Sequence, residues 1–396
     1  MFRRPVQRFC RITLRKNREN AVLRWKSTAT TSGKVAVTTE EVRPDYIKCY
    51  KELSKPVLSG LVVLSTSAGF LMSGSPAAFV PLLAVSVGTT LQAFSANSYN
   101  QIWEVENDAL MNRTKRRPLP TGRISRGHAA VWATACGAAG TGILLAGTNP
   151  LTAGLGLLNI GLYALVYTPL KTRTIANTWV GSVVGALPPM MGWTAATGTL
   201  MAPEPMLLGA TLFFWQFPHF FALSWRSRKD YAAGGYKMLP VVDTDCGRRT
   251  ARAVLRHTMY LSSIPIVASL SGITSSMFAI ESLAFNSYII YLAARFHKKR
   301  SNRNAQQVFR SSLWYLPLTL SLMVYHSKNW SDKDLEEETS IDRFVDQMRE
   351  RLTDLCPHEL FSRGDIKVDA ENMCPPTMIA GPDPLRSSGE VEGKSS

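Results

Sequence analysis

The sequence predicts an all-α, polytopic membrane protein with about nine transmembrane helices bundled around a central cavity. Three observations favour this fold. Between Pro56 and His326 the apolar residues form about nine segments of roughly 16–24 residues, the length that spans a ~30 Å hydrocarbon core. The loops between these segments alternate between basic and almost uncharged. Carboxylates and amides also gather at the end of one apolar segment, which is costly inside a bilayer unless they face a cavity.

Residues 1–34 are predicted to be a mitochondrial transit peptide. The first 30 of them carry nine Arg or Lys residues against the single acid Glu19, and the segment then becomes rich in Ser and Thr. This composition is typical of matrix import, and the apolar core of a secretory signal is missing. A basic tail without an import function is the alternative. The membrane domain is predicted to cover residues 45–326, beginning with a polar lead-in that ends at Lys55.

The charges of the loops predict the topology of the spans. The loops 111–127, 168–175, 226–253 and 297–310 are basic, whereas the loops that alternate with them carry at most one charge. The positive-inside rule therefore places the N-terminus and all four basic loops on one side, the matrix side of the inner membrane. The nine predicted spans are 57–73, 77–97, 128–147, 150–167, 176–198, 206–225, 254–271, 277–296 and 311–326.

Residues 327–396 are predicted to form an acidic, largely disordered tail. From Lys328 to the end the chain holds 16 acidic and 9 basic residues, a net charge of −7, while the rest carries +23. The overall charge of +16 is thus segregated and does not indicate nucleic-acid binding. An odd number of spans places the tail in the intermembrane space. The six cysteines show no CxxC or other regular spacing, so they predict neither a metal site nor a disulfide framework.

The end of the second span and the loop after it combine carboxylates, amides and cations. At about 100° per residue, six polar side chains of a helix through this stretch share a face roughly 120° wide. Carboxylate and amide oxygens favour Mg²⁺, which commonly carries the phosphates of a substrate. The alternative is that these polar side chains form hydrogen bonds inside the helix bundle and that the basic run only sets the topology. The polar face comprises Asn97, Asn100, Gln101, Glu104, Asp108 and Asn112, and the basic run comprises Arg113, Lys115, Arg116 and Arg117.

The sixth span supplies a second candidate site. It is crowded with aromatic residues, and a continued helix would place Trp215, His219, Arg226 and Asp230 within about 60° of one face. The fifth span carries the pair Pro188–Pro189, which predicts a kink where neighbours or a cavity satisfy the freed carbonyls. The predicted contacts for an apolar substrate are Trp215, Phe217, His219 and Phe220. His219 could equally be a hydrogen-bonded core residue.

Two carboxylate-bearing helix ends flanked by basic loops predict one cavity that binds a diphosphate through Mg²⁺. A diphosphate alone would not need an aromatic membrane cavity, whereas an isoprenoid tail would, and aromatic faces also stabilise a developing allylic cation. The residue chemistry therefore predicts prenyl transfer. The predicted catalytic and metal-binding residues are Asn100, Glu104, Asp108 and Asp230, and the predicted diphosphate-binding residues are Arg113, Lys115, Arg116, Arg117, Lys171, Arg226 and Lys229.

Three long segments resemble the UbiA-type membrane prenyltransferases, and in particular their haem-modifying branch. They are NSYNQIWEVENDALMNRTKRRPLPTG (97–122), YTPLKTRTIANTWVGSVVGALPPMMGW (167–193) and FWQFPHFFALSWRSRKDYAAGGYKMLPVVD (214–243). The resemblance extends over roughly 45–326. The wider family shows two Asp-rich motifs. Here the first reads Asn100, Glu104, Asp108, and the second keeps only Asp230, which leaves the number of metal ions open.

The resemblance implies transfer of a farnesyl group from farnesyl diphosphate to a vinyl group of haem b. Water then captures the resulting cation and gives haem O, the precursor of haem A for cytochrome oxidase. Mg²⁺ is the implied cofactor, and the lipid bilayer, haem A synthase and cytochrome oxidase assembly proteins are the implied partners, with no nucleic acid. The implied location is the mitochondrial inner membrane, with the active-site loops toward the matrix. His219 becomes a candidate axial ligand of haem.

Three alternatives stay open at this point. A UbiA-type enzyme that prenylates 4-hydroxybenzoate for ubiquinone is the nearest, but Glu104, the WQFPHF segment and the single Asp230 argue against it. An inner-membrane carrier would use the carboxylates for ion coupling, yet no inverted repeat is evident. A structural assembly factor without catalysis would leave the polar ladder unexplained.

Overall fold

The computed structural model describes residues 45–74 and 78–329. The predicted transit peptide and nearly all of the predicted acidic tail lie outside these residues. Within them the regular secondary structure is helical, and the single β-type contact is an isolated bridge between Thr274 and Ser327. The prediction of an all-α fold is confirmed.

Thirteen helices follow one another within the described residues, and nine of them are long rods at the positions of the predicted spans. The long rods are α2, α3, α5–α8 and α11–α13. The bounds are α1 Tyr46–Ser54, α2 Pro56–Leu71, α3 Phe79–Trp103, α4 Val105–Leu110, α5 Arg126–Gly147, α6 Pro150–Arg173, α7 Asn177–Thr197, α8 Pro203–Arg226, α9 Arg228–Ala233, α10 Leu239–Val242, α11 Arg248–Leu270, α12 Ser276–Lys298 and α13 Asn302–Tyr325.

Five of these helices, α3, α5, α6, α8 and α12, are long and apolar enough to cross a membrane. The bent pair α1 and α2 gives a sixth span if it is counted as one. Large apolar side chains such as Val57, Val80, Val131 and Leu165 are more than 60% exposed, as expected for a surface that faces lipid. The described part of the chain is therefore a multi-pass helical bundle, while the count of nine crossings stays a prediction.

Several helices begin earlier than their apolar segments predict. α11 begins at Arg248 rather than 254, and α13 begins at Asn302 rather than 311. The Ser301 side chain accepts the Asn304 N–H and caps α13. An apolar window detects only the lipid-embedded part of a helix, whereas backbone hydrogen bonding continues through the polar residues at the membrane surface. The predicted spans therefore correspond to the apolar parts of these two helices and not to their full lengths.

The lead-in before Pro56 is a helix, not an irregular segment. In α1 the side chains of Cys49 and Leu53 are buried, and they pack with Leu119, Ile124 and Ala129. Lys55 then adopts a positive φ of 46°, and α2 starts at Pro56 with a bend of 47°. The bend brings the Lys55 side chain to the same end of the bundle as the predicted polar ladder.

α2 and α7 cross at very short range. A Cβ atom at Gly69 would overlap the Pro189 carbonyl, and one at Gly192 would overlap the Thr66 carbonyl. Small residues allow such close approach between membrane helices. Pro188 and Pro189 both lie inside α7, as the sequence predicted, and both are buried.

The predicted basic loops meet at one end of the bundle. The Asn107 side chain donates to the Gly234 carbonyl at 2.7 Å, joining the segment after α3 to the segment after α8. Asn177 donates to the Lys237 carbonyl at 3.0 Å, which joins the connection between α6 and α7 to the segment after α8. The Arg228 guanidinium contacts Asn302 at the start of α13. These contacts place the polar residues of four connections around the mouth of one cavity.

Candidate active site

A cavity of about 530 Å³ runs through the centre of the bundle and is enclosed by α2, α3, α6, α7, α8 and α13. Its lining is polar and charged near the meeting point of the basic loops and mainly apolar elsewhere. The polar end holds Asn100, Glu104, Asp108 and the cations Lys55, Arg113, Arg117 and Lys171. The central cavity that the sequence predicted is therefore present, with one end suited to an anion and the other to an apolar chain.

The polar ladder is built where α3 ends. α3 stops at Trp103, Glu104 occupies the break, and α4 starts at Val105, so the predicted continuous helix is interrupted at this point. Asn100, Glu104 and Asp108 nevertheless line the cavity together and are almost completely buried. The helical spacing predicted this grouping correctly.

Two other members of the predicted polar face form hydrogen bonds with the neighbouring helices. Gln101 donates to the carbonyls of Glu52 and Leu53, and Asn97 donates to Ser59, so both amides tie α3 to the first two helices. Asn112 is exposed. Asn97 also lines the cavity, so four of the six predicted residues, Asn97, Asn100, Glu104 and Asp108, belong to its wall, while Gln101 and Asn112 do not.

Each oxygen-bearing side chain of the ladder has a cationic partner. The Lys171 ammonium lies 2.7 Å from a Glu104 carboxylate oxygen, and the Arg117 guanidinium lies 2.6 Å from Asp108. The Lys55 ammonium donates to the Asn100 side-chain oxygen at 2.9 Å. The site therefore combines two carboxylates with three cations in a space of low solvent access.

The two carboxyls lie beyond the membrane-spanning part of α3, and their pKa values shift in opposite directions. Burial acts to raise the pKa of Glu104, but the Lys171 ammonium and its hydrogen bond hold that pKa below the ordinary value. Burial raises the pKa of Asp108, and the Arg117 guanidinium offsets this rise only in part. Glu104 is accordingly the more firmly ionised carboxyl of the pair.

The donor chemistry of the ladder fits a divalent cation that is held by few protein groups. Amide and carboxylate oxygens are hard ligands suited to Mg²⁺. Within 45–74 and 78–329 no group of three His, Cys, Asp or Glu side chains is arranged to hold a metal by itself. Asn100, Glu104 and Asp108 could therefore supply part of a coordination shell, with phosphate oxygens and water completing it.

Asp230 lies apart from this ladder. The predicted continuous helix through Arg226 to Asp230 is wrong, because α8 ends at Arg226 and Asp230 belongs to the separate helix α9. Its carboxylate accepts the backbone N–H groups of Asn112 at 2.8 Å and Arg113 at 3.2 Å. Asp230 lines a second pocket at the mouth rather than the central cavity. In this structure it fastens α9 to the loop after α4.

The predicted diphosphate-binding cations fall into three groups. Arg113, Arg117 and Lys171 line the central cavity. Lys115 and Arg116 are exposed and line neither pocket, which suits a role in topology alone. Arg226 and Lys229 line the second pocket beside Asp230, and Arg113 is shared by both pockets. Lys55 lines the central cavity but was missed, because a lysine before an apolar run resembles an ordinary helix-boundary charge.

Two tyrosines on α6 were also missed. α6 contains a π-helical stretch, Leu162–Tyr167, in which Tyr163 and Tyr167 project into the cavity with ring centroids 5.3 Å apart. The Lys171 ammonium lies 4.5 Å from the Tyr167 ring centroid. A π-helical segment breaks the 3.6-residue spacing and is frequent at functional sites. The i, i+4 spacing of these tyrosines would place them on one face of an ordinary helix as well, but the sequence did not indicate that this face lines the cavity.

The sixth predicted span supplies three of the four predicted aromatic contacts. Trp215, His219 and Phe220 line the cavity. Phe217 does not: its side chain is fully buried and stacks on His257 of α11, with ring centroids 3.9 Å apart. Residues 215, 219 and 220 share a face of α8, and residue 217 lies on the opposite face. The prediction for Phe217 was wrong for this reason.

His219 is held in a defined orientation. Its Nδ1 atom lies 2.8 Å from the Ser312 hydroxyl, and its ring stacks on Trp215 with centroids 4.5 Å apart. The Trp215 indole N–H donates to the Ser312 carbonyl at 2.8 Å. No described residue forms a hydrogen bond with His219 Nε2. A ring held through one nitrogen with the other nitrogen open is the arrangement of a metal-ligating histidine.

Comparisons with known sequences agree with the geometry. The UbiA prenyltransferase family matches residues 62–316. A protein of Arabidopsis thaliana named mitochondrial protoheme IX farnesyltransferase is 45% identical over 76% of this chain and 70% of its own length. The protein of the same name from Homo sapiens is 50% identical, and the match covers 69% of this chain but only 60% of the human protein. A protoheme IX farnesyltransferase of Solibacter usitatus is 38% identical over 69% of this chain and 97% of its own length.

Solved structures of other sequences share the fold. A structure of digeranylgeranylglyceryl phosphate synthase superposes with a TM-score of 0.59 at 15% identity, covering 72% of this chain and 99% of that one. A UbiA homologue from Archaeoglobus fulgidus bound to GPP and Mg²⁺ gives a TM-score of 0.52 at 15% identity, covering 69% and 99%. At this identity the likeness concerns the fold alone.

Proposed function

The chain belongs to the UbiA prenyltransferase family, and we propose that it transfers a farnesyl group from farnesyl diphosphate to a vinyl group of protohaem IX, giving haem O. One observation carries this proposal. A single cavity joins a buried acid–cation cluster to an aromatic wall on which His219 keeps one ring nitrogen open. Relatives that are 38–50% identical are named protoheme IX farnesyltransferases, which supports the same substrates for this chain.

The acid–cation cluster is the proposed diphosphate site. The cations Lys55, Arg117 and Lys171 face the cavity and would bind the oxygens of the leaving group. Mg²⁺, held by Glu104 and Asp108 with Asn100, would stabilise the negative charge that accumulates on that group. A UbiA homologue binds a prenyl diphosphate together with Mg²⁺, which supports a divalent ion here. Asp230 is not assigned to these ligands, because it lines the second pocket and binds the backbone N–H groups of Asn112 and Arg113.

The side chains around the cluster suit ionisation of an allylic diphosphate. The bond between C1 of the farnesyl group and the diphosphate oxygen breaks, and the electron pair leaves with diphosphate. Tyr163 and Tyr167 present ring faces beside Lys171, where the positive charge on the allylic carbon develops. A vinyl carbon of haem then bonds to C1, and water captures the resulting cation and releases a proton. The products are haem O and diphosphate.

The aromatic wall is the proposed acceptor site. Trp215, Phe220 and Phe309 line the cavity around His219 and provide flat apolar surfaces for a porphyrin. His219 would use Nε2 as an axial ligand of the iron, since Ser312 holds Nδ1. The acceptor would then be fixed at a defined distance from the diphosphate cluster.

The setting of the reaction is a mitochondrial membrane, as the names of the eukaryotic relatives and the apolar helices indicate. We place the protein in the inner membrane with its active-site loops toward the matrix and its acidic tail toward the intermembrane space. Haem A synthase and cytochrome oxidase assembly proteins are the proposed partners, because they would consume the product.

Acceptor competition tests this function against the nearest alternative. Purified protein with Mg²⁺ and farnesyl diphosphate is given haem b, 4-hydroxybenzoate, or both, and the prenylated products are separated by chromatography and identified by mass. We expect farnesylated haem alone, and we expect a chelator of Mg²⁺ to abolish it. Prenylated 4-hydroxybenzoate in place of farnesylated haem would refute the proposal.

A further inference from the structure

A second pocket of about 420 Å³ opens at the mouth of the bundle, beside the central cavity. Four of its lining residues are the cations Arg113, Arg226, Arg228 and Lys229. The single carboxylate in the lining, Asp230, is already bound by two backbone N–H groups. The pocket therefore carries a strong excess of positive charge and is suited to an anion.

The second pocket adjoins the aromatic wall through Phe309 and Arg113. The Arg226 guanidinium lies 5.4 Å from the centroid of the Phe309 ring, and that ring lies 5.0 Å from the His219 ring. Arg226 follows His219 by seven residues on α8, so the two side chains share a face about 10 Å apart along the helix axis. Arg113 lines both pockets. An elongated ligand that starts at His219 would reach the basic pocket at its far edge.

We propose that this basic pocket binds the two propionate carboxylates of the porphyrin substrate. The inference rests on the proposed function and adds to it a binding site for the acidic edge of the acceptor. Haem b carries its two propionates on one edge and its two vinyl groups on the opposite edge of a flat apolar ring. Arginine guanidinium groups bind carboxylates with paired hydrogen bonds, and Arg226 and Arg228 both line the pocket.

The separation of charged residues supports a second anion site. Lys55, Arg117 and Lys171 line the central cavity but not the second pocket, whereas Arg226, Arg228 and Lys229 line the second pocket but not the cavity. The proposed reaction has two anionic substrates, which matches the presence of two such clusters. The sequence analysis assigned Arg226 and Lys229 to the diphosphate. The present proposal assigns them to the porphyrin carboxylates instead.

This placement also orients the acceptor. With the propionates held at the mouth, the opposite edge of the ring is directed into the central cavity. That edge carries the vinyl groups, one of which must meet the allylic carbon of the farnesyl group. The basic pocket would thus contribute to the choice of reacting edge as well as to affinity.

The test compares haem b with its dimethyl ester, which keeps the ring, the iron and the vinyl groups but loses both carboxylates. Each is titrated into purified protein, and the dissociation constant is read from the Soret band. We expect wild-type protein to bind the ester at least tenfold more weakly. Arg226→Gln and Lys229→Gln should each weaken binding of haem b by roughly three- to tenfold and leave the ester unaffected. Arg252→Gln, an exposed cation at the start of α11 outside both pockets, is the matched control.

Three results would overturn the inference. Equal affinity of wild-type protein for haem b and the ester would show that the carboxylates are not recognised. An equal loss for both ligands in the variants would assign the two cations to folding of the mouth. A weaker affinity for farnesyl diphosphate, measured separately, with haem binding unchanged would return them to the diphosphate. The titration of haem b is repeated in the presence of an anionic phospholipid. An unchanged affinity for haem b excludes binding of a lipid headgroup to the basic pocket. Failure to form haem O would refute the proposed function without affecting the ester comparison.

Discussion

The pairing of Glu104 with Lys171 and of Asp108 with Arg117 suggests how the site tolerates burial before substrate binds. A buried carboxylate without a partner costs several kcal/mol, and a cation at hydrogen-bond distance offsets much of that cost. In the proposed function the same cations would bind a diphosphate, and the same carboxylates would bind Mg²⁺. The cluster is thus a set of charges that can exchange partners without any group becoming isolated.

Glu104→Gln and Asp108→Asn should each lower kcat for farnesyl transfer by about 100-fold or more. Each change replaces a charged oxygen ligand by a neutral amide of nearly the same shape. The measurement is the turnover of purified protein at saturating substrates, with the melting temperature as a check on folding. Glu106→Gln is the matched control, because Glu106 lies between the two varied residues in the sequence and is exposed. Normal turnover of both cavity variants at limiting Mg²⁺ would place the metal site elsewhere.

His219→Ala should weaken the binding of haem b and shift its Soret band, while the affinity for farnesyl diphosphate stays within about twofold of wild type. The reason is that Nε2 of His219 faces the proposed acceptor site and not the diphosphate cluster. The spectra of haem-loaded variant and wild-type protein check this, with His297→Ala, outside the cavity on α12, as the control. An unchanged spectrum and affinity would reduce His219 to a core residue.

At the scale of the helices, α2 and α7 cross closely beside the cavity that both of them line. Both helices contribute lining residues, and their closest contact is through Gly69 and Gly192. Because backbone atoms of one helix contact glycine positions of the other, there is no room for a larger side chain at this crossing. At the other end of α2, Lys55 donates a hydrogen bond to Asn100 of α3.

Gly69→Ala should destabilise the protein by about 1–3 kcal/mol, because the added methyl group would overlap the Pro189 carbonyl. Gly60→Ala on the same helix should be neutral or stabilising by ~0.5–1 kcal/mol, since no atom lies within 4 Å of the added group. Thermal unfolding in detergent measures both. Equal melting temperatures for the two variants would contradict this close crossing.

Sequence patterns predicted the long helices well and their ends poorly. Hydrophobic length located all nine rods, and helical spacing brought Asn100, Glu104 and Asp108 to one wall. Three features were not predicted because each depends on an irregular backbone: the helix break at Glu104, the π-helical stretch Leu162–Tyr167, and the bend at Lys55. The prediction that Asp230 shares a helix face with His219 failed because it assumed that α8 continues past Arg226.

For the whole molecule, the location of the basic loops at one end of the bundle predicts the topology. An accessibility tag in the loop between α10 and α11 should lie in the matrix, and a tag after Lys328 should lie in the intermembrane space. The positive-inside rule and an odd number of crossings give this result. Protease protection in mitochondria and in mitoplasts separates the two sides. Protection of both tags on the same side would overturn the count of nine spans.

The central claim is that one cavity joins the farnesyl group to haem. Its most direct test is mass spectrometry of the haem extracted after purified protein has been incubated with haem b, farnesyl diphosphate and Mg²⁺. For the wild-type protein the account predicts a haem product heavier by one farnesyl group and one hydroxyl group, and for Glu104→Gln it predicts almost none. Unmodified haem b from correctly folded wild-type protein, or equal product from the variant, would contradict the account.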